Sequence, residues 1–381
     1  MIEWKKLIDV ANILYGYPFE SSLFTEDSSY IPLIRIRDIK PAKASTFYSG
    51  ELLSNYIIKK GDILVGMDGE FNLEKWDDRD GLLNQRVLKM TGINNICESA
   101  YLYHYMGPLF KKIEKETAGG SVKHLSAKII NSIQIPVPSL SEQTRIVGIL
   151  DAFTASIENL KEQIAQRRKQ YEYYRDQLLD LEGKEGVEIK TLGDFGDVTK
   201  LAGFEFTEHV KYKEEGRIIA LRGLNVRNGN LDLCQVKYID GSNFEKLERS
   251  KLLTNDMLFT YVGTIGNVAL IDEDNKYYLA PNVSRIRFDS KVIIPRFALY
   301  VFMSEQFHRT QINKFLNSSS MKNLSMENIR KFKLPIPPLS EQQRIVSILD
   351  TFEASINNLE QQLALREKQY EYYRNKLLTF E

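Results

Sequence analysis

One long internal repeat limits the folds open to this chain more than any other feature. Shifting the 381-residue sequence by 199 positions aligns Ser121–Glu182 with Ser320–Glu381 without a gap, and more than half of the aligned residues are identical. The period is too long for one unit of a solenoid, whose repeats span about 20 to 45 residues. The sequence therefore predicts a duplicated half-molecule.

The second part of each copy predicts a long helix with a coiled-coil seam. Seam residues recur at alternating steps of four and three over five heptads, a spacing typical of helices that pair. The first stripe is Ile146, Leu150, Phe153, Ile157, Leu160, Ile164, Arg167, Tyr171, Tyr174, Leu178 and Leu181, and the second repeats it from Ile345 to Phe380. Each stripe finds its match in the other copy; the alternative is that each helix packs only on its own globular segment.

Prolines and serines mark where these helices begin. Proline occurs at 136 and 138 before the first helix and at 335, 337 and 338 before the second. We expect Ser141 and Ser340 to cap the first turns, and each helix to be about 60 Å long. Arg167 and Arg366 stand at seam positions, where an arginine either fixes the register or extends its head group to water.

Polar residues outside the seam are also identical in the two copies. Recent duplication explains such identity by itself, and so does a second protein that docks in the same way on both copies. The residues that we assign to partner binding are Gln143, Arg145, Tyr173 and Arg175, with their repeats Gln342, Arg344, Tyr372 and Arg374.

The two globular segments before the helices match each other far less well than the helices do. Predicted strands are Ile31–Ile39, Asp62–Val65, Arg217–Val226 and Asp256–Tyr261, and predicted helices are Ala100–Lys115 and Arg296–Phe315. Ser126 and Ser325 are expected to cap short helices. In this alignment Arg37 falls opposite Arg222. The pattern indicates an α+β class, with one shared framework and two different recognition surfaces.

Composition excludes several classes of function. The first segment, residues 1–140, has 17 basic and 17 acidic side chains, and residues 183–339 have 23 and 19. A chain that holds DNA by itself is normally more basic. No apolar run approaches the length of a membrane span, and two distant cysteines favour a cytoplasmic protein without disulfides. No phosphate-binding loop, metal-ligand spacing or paired nucleophile is present, so we expect no catalytic and no metal site.

The repeated segment resembles the conserved region of type I restriction–modification specificity subunits. The residues that carry the resemblance are Ile135-Pro136-Val137-Pro138, Leu140-Ser141-Glu142-Gln143, Arg145-Ile146-Val147 and Leu150-Asp151, repeated as Leu334-Pro335-Ile336-Pro337 through Gln342 and Leu349-Asp350. Gly61-Asp62-Ile63-Leu64 and Asn84-Gln85-Arg86 also resemble that family. The second segment departs from it, with Asn255 in place of the usual glycine and Asn282 without a following Gln-Arg.

The resemblance covers the whole chain and implies its organisation. It implies target-recognition domains at 1–140 and 188–339, each a twisted sheet with short helices, conserved helices at 141–182 and 340–381, and a linker at 183–187. The two helices would form an antiparallel coiled coil that separates the domains. Each domain would read one part of an asymmetric, bipartite site in double-stranded DNA.

The resemblance also implies partners and the absence of an active site on this chain. Two modification subunits would supply S-adenosylmethionine and the methylating site, and restriction subunits would add ATP, Mg²⁺ and cleavage. Bidentate side chains on loops discriminate bases, whereas lysines contact phosphates. The candidates are Arg37, Asn72, Gln85, Arg86 and Lys123 in the first domain, and Arg222, Tyr261, Thr264, Asn267 and Lys322 in the second.

Two other interpretations stay open at this point. A structural protein could use a coiled-coil scaffold to display two ligand-binding domains, and an enzyme could carry motifs that do not stand out. For each candidate DNA contact, the alternative is a solvated residue or a loop-stabilising hydrogen bond.

Overall fold

The structure, a computed structural model, describes residues 2–116, 123–201, 208–316 and 323–380. The chain divides into two compact units, Met1–Lys161 with Gln361–Glu381, and Glu162–Glu360. Each unit contains one globular segment and parts of both long helices.

The first unit is a mixed α and β structure around two sheets. Its described elements are β1 (Glu3–Lys6), α1 (Leu7–Val10), β2 (Ala11–Tyr15), β3 (Phe24–Thr25), β4 (Ile31–Ile34), α2 (Ile36–Ile39), β5 (Phe47–Tyr48), β6 (Ile57–Ile58), β7 (Ile63–Gly66), β8 (Leu73–Lys75), β9 (Gly81–Leu83), β10 (Val87–Gly92), α3 (Ser99–Glu116), α4 (Ala127–Ser132), β11 (Gln134–Val137) and the start of α5 (Leu140–Leu179).

An antiparallel sheet in the order β2-β10-β7-β8 and a mixed sheet in the order β3-β5-β4-β9-β6 form the body of this unit. The short pair β1–β11 leads into α5. The core packs the first of these sheets against α3 and the start of α5, through residues such as Leu88, Leu102 and Ile146. Burial of this apolar face stabilises the unit.

The second unit repeats part of this plan. Its described elements are β12 (Glu188–Thr191), α6 (Leu192–Phe195), β13 (Gly196–Lys200), β14 (Ile219–Leu221), β15 (Val226–Arg227), β16 (Asn230–Leu231), β17 (Met257–Thr260), β18 (Val268–Leu270), β19 (Tyr277–Leu279), β20 (Val283–Phe288), α7 (Pro295–Met303), α8 (Glu305–Phe307), α9 (Asn313–Leu316), α10 (Met326–Arg330), β21 (Lys333–Ile336) and α11 (Leu339–Leu378).

The sheet β13-β20-β17-β18 has the same antiparallel order as β2-β10-β7-β8, and β12–β21 repeats β1–β11. The small pairs β14–β19 and β15–β16 complete the described strands of this unit. The α+β class is therefore confirmed.

The long helices α5 and α11 pair in an antiparallel direction within each unit. In the first unit, the ring of Phe153 lies 5.4 Å from that of Tyr373, and Lys161 forms an ion pair with Glu367 at 3.4 Å. In the second, the ring of Phe352 lies 5.5 Å from that of Tyr174. Rising residue numbers on one helix meet falling numbers on the other, so the predicted coiled coil is confirmed.

The two seam arginines stack on aromatic rings. The guanidinium carbon of Arg366 lies 5.6 Å from the ring centre of Phe153, and that of Arg167 lies 5.8 Å from the ring centre of Phe352. A cation over an aromatic face is attracted to the ring while its polar edge stays accessible to water. The ring contact explains how an arginine fits a seam position.

Two predicted strands are shorter than expected because a side chain caps a turn inside each. The first strand ends at Ile34, where the Arg35 backbone N–H donates to the Asp38 carboxylate at 2.9 Å. In the second unit the Arg222 N–H donates to Asn225 Oδ1 at 3.1 Å. Such local hydrogen bonds compete with the strand. They also show that Arg222 matches Arg35, so the alignment of Arg222 with Arg37 was wrong.

The helix predictions were right in position but not in every boundary. Ser126 and Ser325 cap α4 and α10 as expected. The long helices begin one residue before the predicted caps, at Leu140 and Leu339, so Ser141 and Ser340 lie inside them. The predicted helix Arg296–Phe315 is broken at Ser304, whose hydroxyl accepts from the Phe307 N–H and starts a new turn.

Candidate recognition loops and partner surface

Three loops of the first unit meet at the end of β7. The Met67 N–H donates to the Arg86 carbonyl at 2.9 Å, and the Gly69 N–H donates to the Lys123 carbonyl at 3.0 Å. Backbone hydrogen bonds therefore bring two of the predicted DNA contacts, Arg86 and Lys123, into one cluster. Gln85 lies next to Arg86 in the chain and is exposed.

A hydrogen bond and an ion pair to one carboxylate tie the rim of this cluster together. Asp68 accepts at 2.5 Å from Nδ1 of His124 and lies 3.4 Å from Nε of Arg86. The Arg86 side chain is 55% exposed and Asp68 is 27% exposed. The carboxylate thus fixes one edge of a guanidinium that stays open to solvent. Sequence reasoning did not single out Asp68 or His124, because a lone Asp or His carries no pattern.

A second carboxylate, Glu114 of α3, holds the neighbouring lysines. It accepts from the Phe71 N–H at 3.0 Å and from Lys111 at 3.1 Å, and lies 3.5 Å from Nζ of Lys123. Lys111 also donates to Asn72 Oδ1 at 3.0 Å. Burial raises the pKa of Glu114, but these hydrogen bonds and the lysine charges outweigh it, so the pKa lies below its usual value. Glu114 therefore holds Lys123 directly and Asn72 through Lys111.

Arg37 lies on α2, apart from this hydrogen-bonded cluster. Its guanidinium donates to the hydroxyls of Ser45 at 3.1 Å and Thr46 at 2.5 Å, and the residue is exposed. These bonds fit a loop-stabilising role as well as a DNA contact.

In the second unit, a groove of about 780 Å³ collects three predicted contacts, Arg222, Thr264 and Asn267. The Thr260 hydroxyl braces its loop by donating to the Thr264 carbonyl at 2.5 Å and accepting from the Asn267 N–H at 3.0 Å. Sequence reasoning did not propose five polar residues that line the groove, namely Tyr212, Arg227, Asn228, Thr260 and Asn282. Asn228 precedes Gly229, and this Asn-Gly turn is the signal that could have found it.

Arg222 is partly buried at the wall of this groove. Its Nη2 donates to the Gln235 carbonyl at 2.9 Å, while its buried Nε has no hydrogen-bond partner among the described residues. An unpaired buried donor is costly. A ligand oxygen in the groove would relieve that cost.

Tyr261 and Lys322 differ from the other candidates. Tyr261 is 9% exposed and belongs to the core of the second unit, and burial raises the pKa of its hydroxyl. The prediction that Tyr261 reads bases was therefore wrong, because its ring fills the interior. Lys322 lies outside the described residues.

Four of the eight predicted partner-binding residues lie on the solvent-facing sides of the long helices, namely Arg145, Tyr173, Arg344 and Tyr372. Tyr173 and Tyr372 are each 60% exposed. Arg145 forms an ion pair with Glu142 at 2.6 Å, and Arg344 forms the same pair with Glu341 at 2.7 Å. The same exposed pattern therefore occurs once in each unit.

Arg175 and Arg374 are partly buried beside tyrosines of their own helices. Their guanidinium carbons lie 5.8 Å from the ring centre of Tyr171 and 5.5 Å from that of Tyr370. Each guanidinium group thus packs on the ring of the tyrosine one helical turn earlier in the sequence.

Gln143 and Gln342 are fully buried, which corrects their assignment to partner binding. The Gln143 amide donates to the carbonyls of Ile96 and Pro138 at 3.0 and 2.9 Å, and its oxygen accepts from the Glu98 N–H at 2.8 Å. Gln342 makes the matching three bonds, with Val292, Pro337 and Ile294. Both copies have glutamine at this position, and its side-chain amide satisfies buried backbone groups.

Comparison with known proteins decides between the open interpretations. The family described as "Type I restriction modification DNA specificity domain" matches residues 1–167 and again 184–366. The chain belongs to this family. The type I restriction enzyme EcoBI specificity subunit of Escherichia coli is 28% identical over 93% of this chain and 80% of its own length. The EcoR124I/EcoR124II specificity subunit of the same organism is 28% identical over 87% and 84%.

A solved structure shares the fold. The S subunit of the type I restriction-modification system of M. genitalium covers 100% of this chain and 97% of its own, with a TM-score of 0.65 at 14% identity. The two matched DNA specificity domains correspond to the two copies seen in the sequence. Membership supports the specificity-subunit interpretation over that of a general scaffold.

Two observations concern other kinds of site in this specificity protein. Within the described ranges, no three His, Cys, Asp or Glu side chains lie close enough to share a metal ion. In those same ranges, no helix has the length and apolar character needed to cross a membrane.

Proposed function

We propose that this chain reads a two-part sequence in double-stranded DNA, one part with each unit. The observation that carries the proposal is that one repeated backbone framework presents two different sets of polar loop residues. The first unit presents Arg86, Gln85 and Lys123, and the second lines a groove with Arg222, Thr264 and Asn267. Side chains of this kind recognise base edges and phosphates.

The proposal includes partners that bind the repeated surfaces. Two modification subunits dock on the exposed helix positions that occur in both copies, Arg145 and Tyr173 with Arg344 and Tyr372. Catalysis, S-adenosylmethionine, ATP and Mg²⁺ belong to the modification and restriction subunits, and this chain contributes no catalytic residue. Its place is the cytoplasm, together with the DNA that it reads. The formal net charge of zero supports DNA binding by several subunits together, because a protein that binds DNA alone needs more basic side chains.

The test is selection from a library of random DNA duplexes, with the chain alone and in complex with modification subunits. We expect the complex to enrich an asymmetric motif made of two defined parts with undefined base pairs between them. A complex that retains DNA without any preferred sequence would contradict the proposal. Binding at several salt concentrations separates phosphate contacts from base contacts.

A further inference from the structure

The rim loops of the two units share a backbone plan that identifies equivalent residues. In the first unit the Met67 N–H donates to the Arg86 carbonyl, and in the second the Tyr261 N–H donates to the Asn282 carbonyl at 3.3 Å. Arg86 directly precedes β10, and Asn282 directly precedes β20, its equivalent strand. Both residues have a φ of +71°. Asn282 therefore takes the place of Arg86, and not that of Asn84 as the sequence motif predicted.

The neighbours of this position are equivalent as well. Asp68 forms a β-bridge with His124 in the first unit, and Val262 forms the same bridge with Asn323 in the second. The Leu125 N–H donates to the carbonyl that follows β7, and the Leu324 N–H donates to the carbonyl that follows β17. The same three places hold Asp68, Arg86 and His124 in the first unit, and the uncharged Val262, Asn282 and Asn323 in the second.

We propose that this position determines specificity in both units, with Arg86 reading a guanine and Asn282 reading an adenine. The inference rests on the proposed function and assigns one base to one residue in each half of the site. Arginine binds O6 and N7 of guanine with two hydrogen bonds, and asparagine binds N6 and N7 of adenine in the same way.

The surroundings of each residue suit this task. Asp68 lies beside Nε of Arg86, so the two terminal nitrogens can form the bidentate pair while the side chain keeps its orientation. Asn282 is exposed and lines the groove that also contains Arg222 and Asn267. The loop thus presents a side chain of the correct type at the same point of each unit.

The shared φ makes an exchange of the two residues a clean experiment. Asparagine adopts a positive φ more readily than most residues, and the first unit already holds an arginine at that φ. Arg86→Asn and Asn282→Arg therefore place each side chain on a backbone conformation that the other unit already supports. The unchanged unit in each variant reports whether the complex is still folded.

The experiment is duplex selection with the full chain in complex with modification subunits, for the parent and both variants. We expect Arg86→Asn to change one position of one half-site from guanine to adenine, and Asn282→Arg to make the opposite change in the other half-site. Each preference should shift by about ten- to a hundredfold, with the second half-site unchanged. Arg86→Lys keeps the charge but loses the fork, and should weaken the guanine preference without creating an adenine preference.

The outcomes separate this inference from the proposed function. A parent complex with no preferred motif would contradict the proposed function itself. A preferred parent motif that both exchanges leave unchanged would overturn the assignment of these two residues. Overall affinity that rises with Asn282→Arg and falls with Arg86→Asn, at constant base preference, would show that the position contacts phosphate and would also overturn it.

Discussion

In the first unit two carboxylates join the loops at the rim, with Asp68 between His124 and Arg86, and Glu114 between Lys111 and Lys123. In the second unit the equivalent bridge joins Val262 to Asn323, and the Thr260 hydroxyl braces the loop. The backbone hydrogen bonds that place these loops are the same. The side chains on these loops differ between the two units, which is what two readers of different sequences need.

The junctions between the globular segments and the long helices combine identity with difference. Gln143 and Gln342 make the same three hydrogen bonds. Asp151, by contrast, lies 2.7 Å from Nε2 of His104, whereas Asp350 accepts from the hydroxyl of Tyr300 at 2.6 Å and from Arg296 at 2.8 Å. The glutamine that satisfies buried backbone groups is the same in both units. The side chains that contact the aspartate of the long helix differ.

The largest expected effect is on stability and should be equal in the two units. Gln143→Ala leaves one backbone N–H and two carbonyls without their partner, at a cost of about 1 to 3 kcal/mol per buried group. We expect the free energy of local unfolding to fall by roughly 3 kcal/mol or more, measured by hydrogen exchange of α3. Gln342→Ala should do the same to α7.

The control for these two variants is Arg145→Ala, an exposed neighbour that should change the free energy by no more than about 0.5 kcal/mol. A loss of stability in only one unit would show that Gln143 and Gln342 do not have equivalent roles.

The next effect concerns DNA affinity. Lys123→Ala should weaken binding to every sequence alike, by about threefold, and lower the slope of log affinity against log salt by about 0.9, because a phosphate contact carries no sequence information. Lys322→Ala should behave alike if the copies share this role. Binding to specific and random duplexes at several salt concentrations measures both quantities.

Lys60→Ala, which removes the same charge at the opposite end of β7, serves as the control for Lys123. A Lys123 variant that altered the preferred sequence would contradict the phosphate role.

The smallest expected effect is a pH dependence of stability. It should occur at the junction between the globular segment and the long helix in the first unit, and not at the equivalent junction in the second. Burial lowers the pKa of His104, although the hydrogen bond and charge of Asp151 raise it. The pKa of a histidine in the unfolded chain is about 6.5, so the unfolded state binds the proton more readily than the folded state does. The stability contributed by neutral His104 is therefore fully present above that pH and decreases as the pH falls below it. Tyr300 stands at the equivalent place and does not titrate there.

We expect the protection factors of α3 amides, which are exchange rates relative to the intrinsic rate at each pH, to fall between pH 7.5 and 5.5, and His104→Gln to reduce this fall. Burial also lowers the pKa of His308 beside the loop at Gly266, so the second unit should respond at that loop and not at its junction. An unchanged pH response in His104→Gln would assign the acid effect to other groups.

The sequence alone predicted the elements that depend on periodicity or on local caps. The seam from Ile146 to Leu181, the helix at Ala100–Lys115 and the caps Ser126 and Ser325 are examples, since each leaves a short-range pattern. Identity between the copies could not separate the buried Gln143 from the exposed Arg145, because both are polar and both are repeated. The core position of Tyr261 and the match of Asn282 with Arg86 depend on contacts between distant segments, and a local sequence pattern does not specify such contacts.

The central claim is that each unit reads its own part of the site with its own loops. The first unit supports a direct test, because the apolar side chains that pack on its core from the end of the second copy all have counterparts in the first copy. Tyr370, Leu377, Leu378 and Phe380 correspond to Tyr171, Leu178, Leu179 and Leu181. We therefore expect that a second copy of the first half can replace the second half.

The measurement is a map of methylated adenines in cells that express residues 1–182 with a modification subunit. We expect the half-chain to form a homodimer and to direct methylation to a palindrome built from one half-site of the full chain, because a twofold symmetric reader selects a symmetric site. The full chain, expressed in parallel, should direct methylation to an asymmetric site that contains the same half. A non-palindromic motif from a dimeric half-chain, or a half-chain that stays monomeric at concentrations where the full complex assembles, would contradict the account.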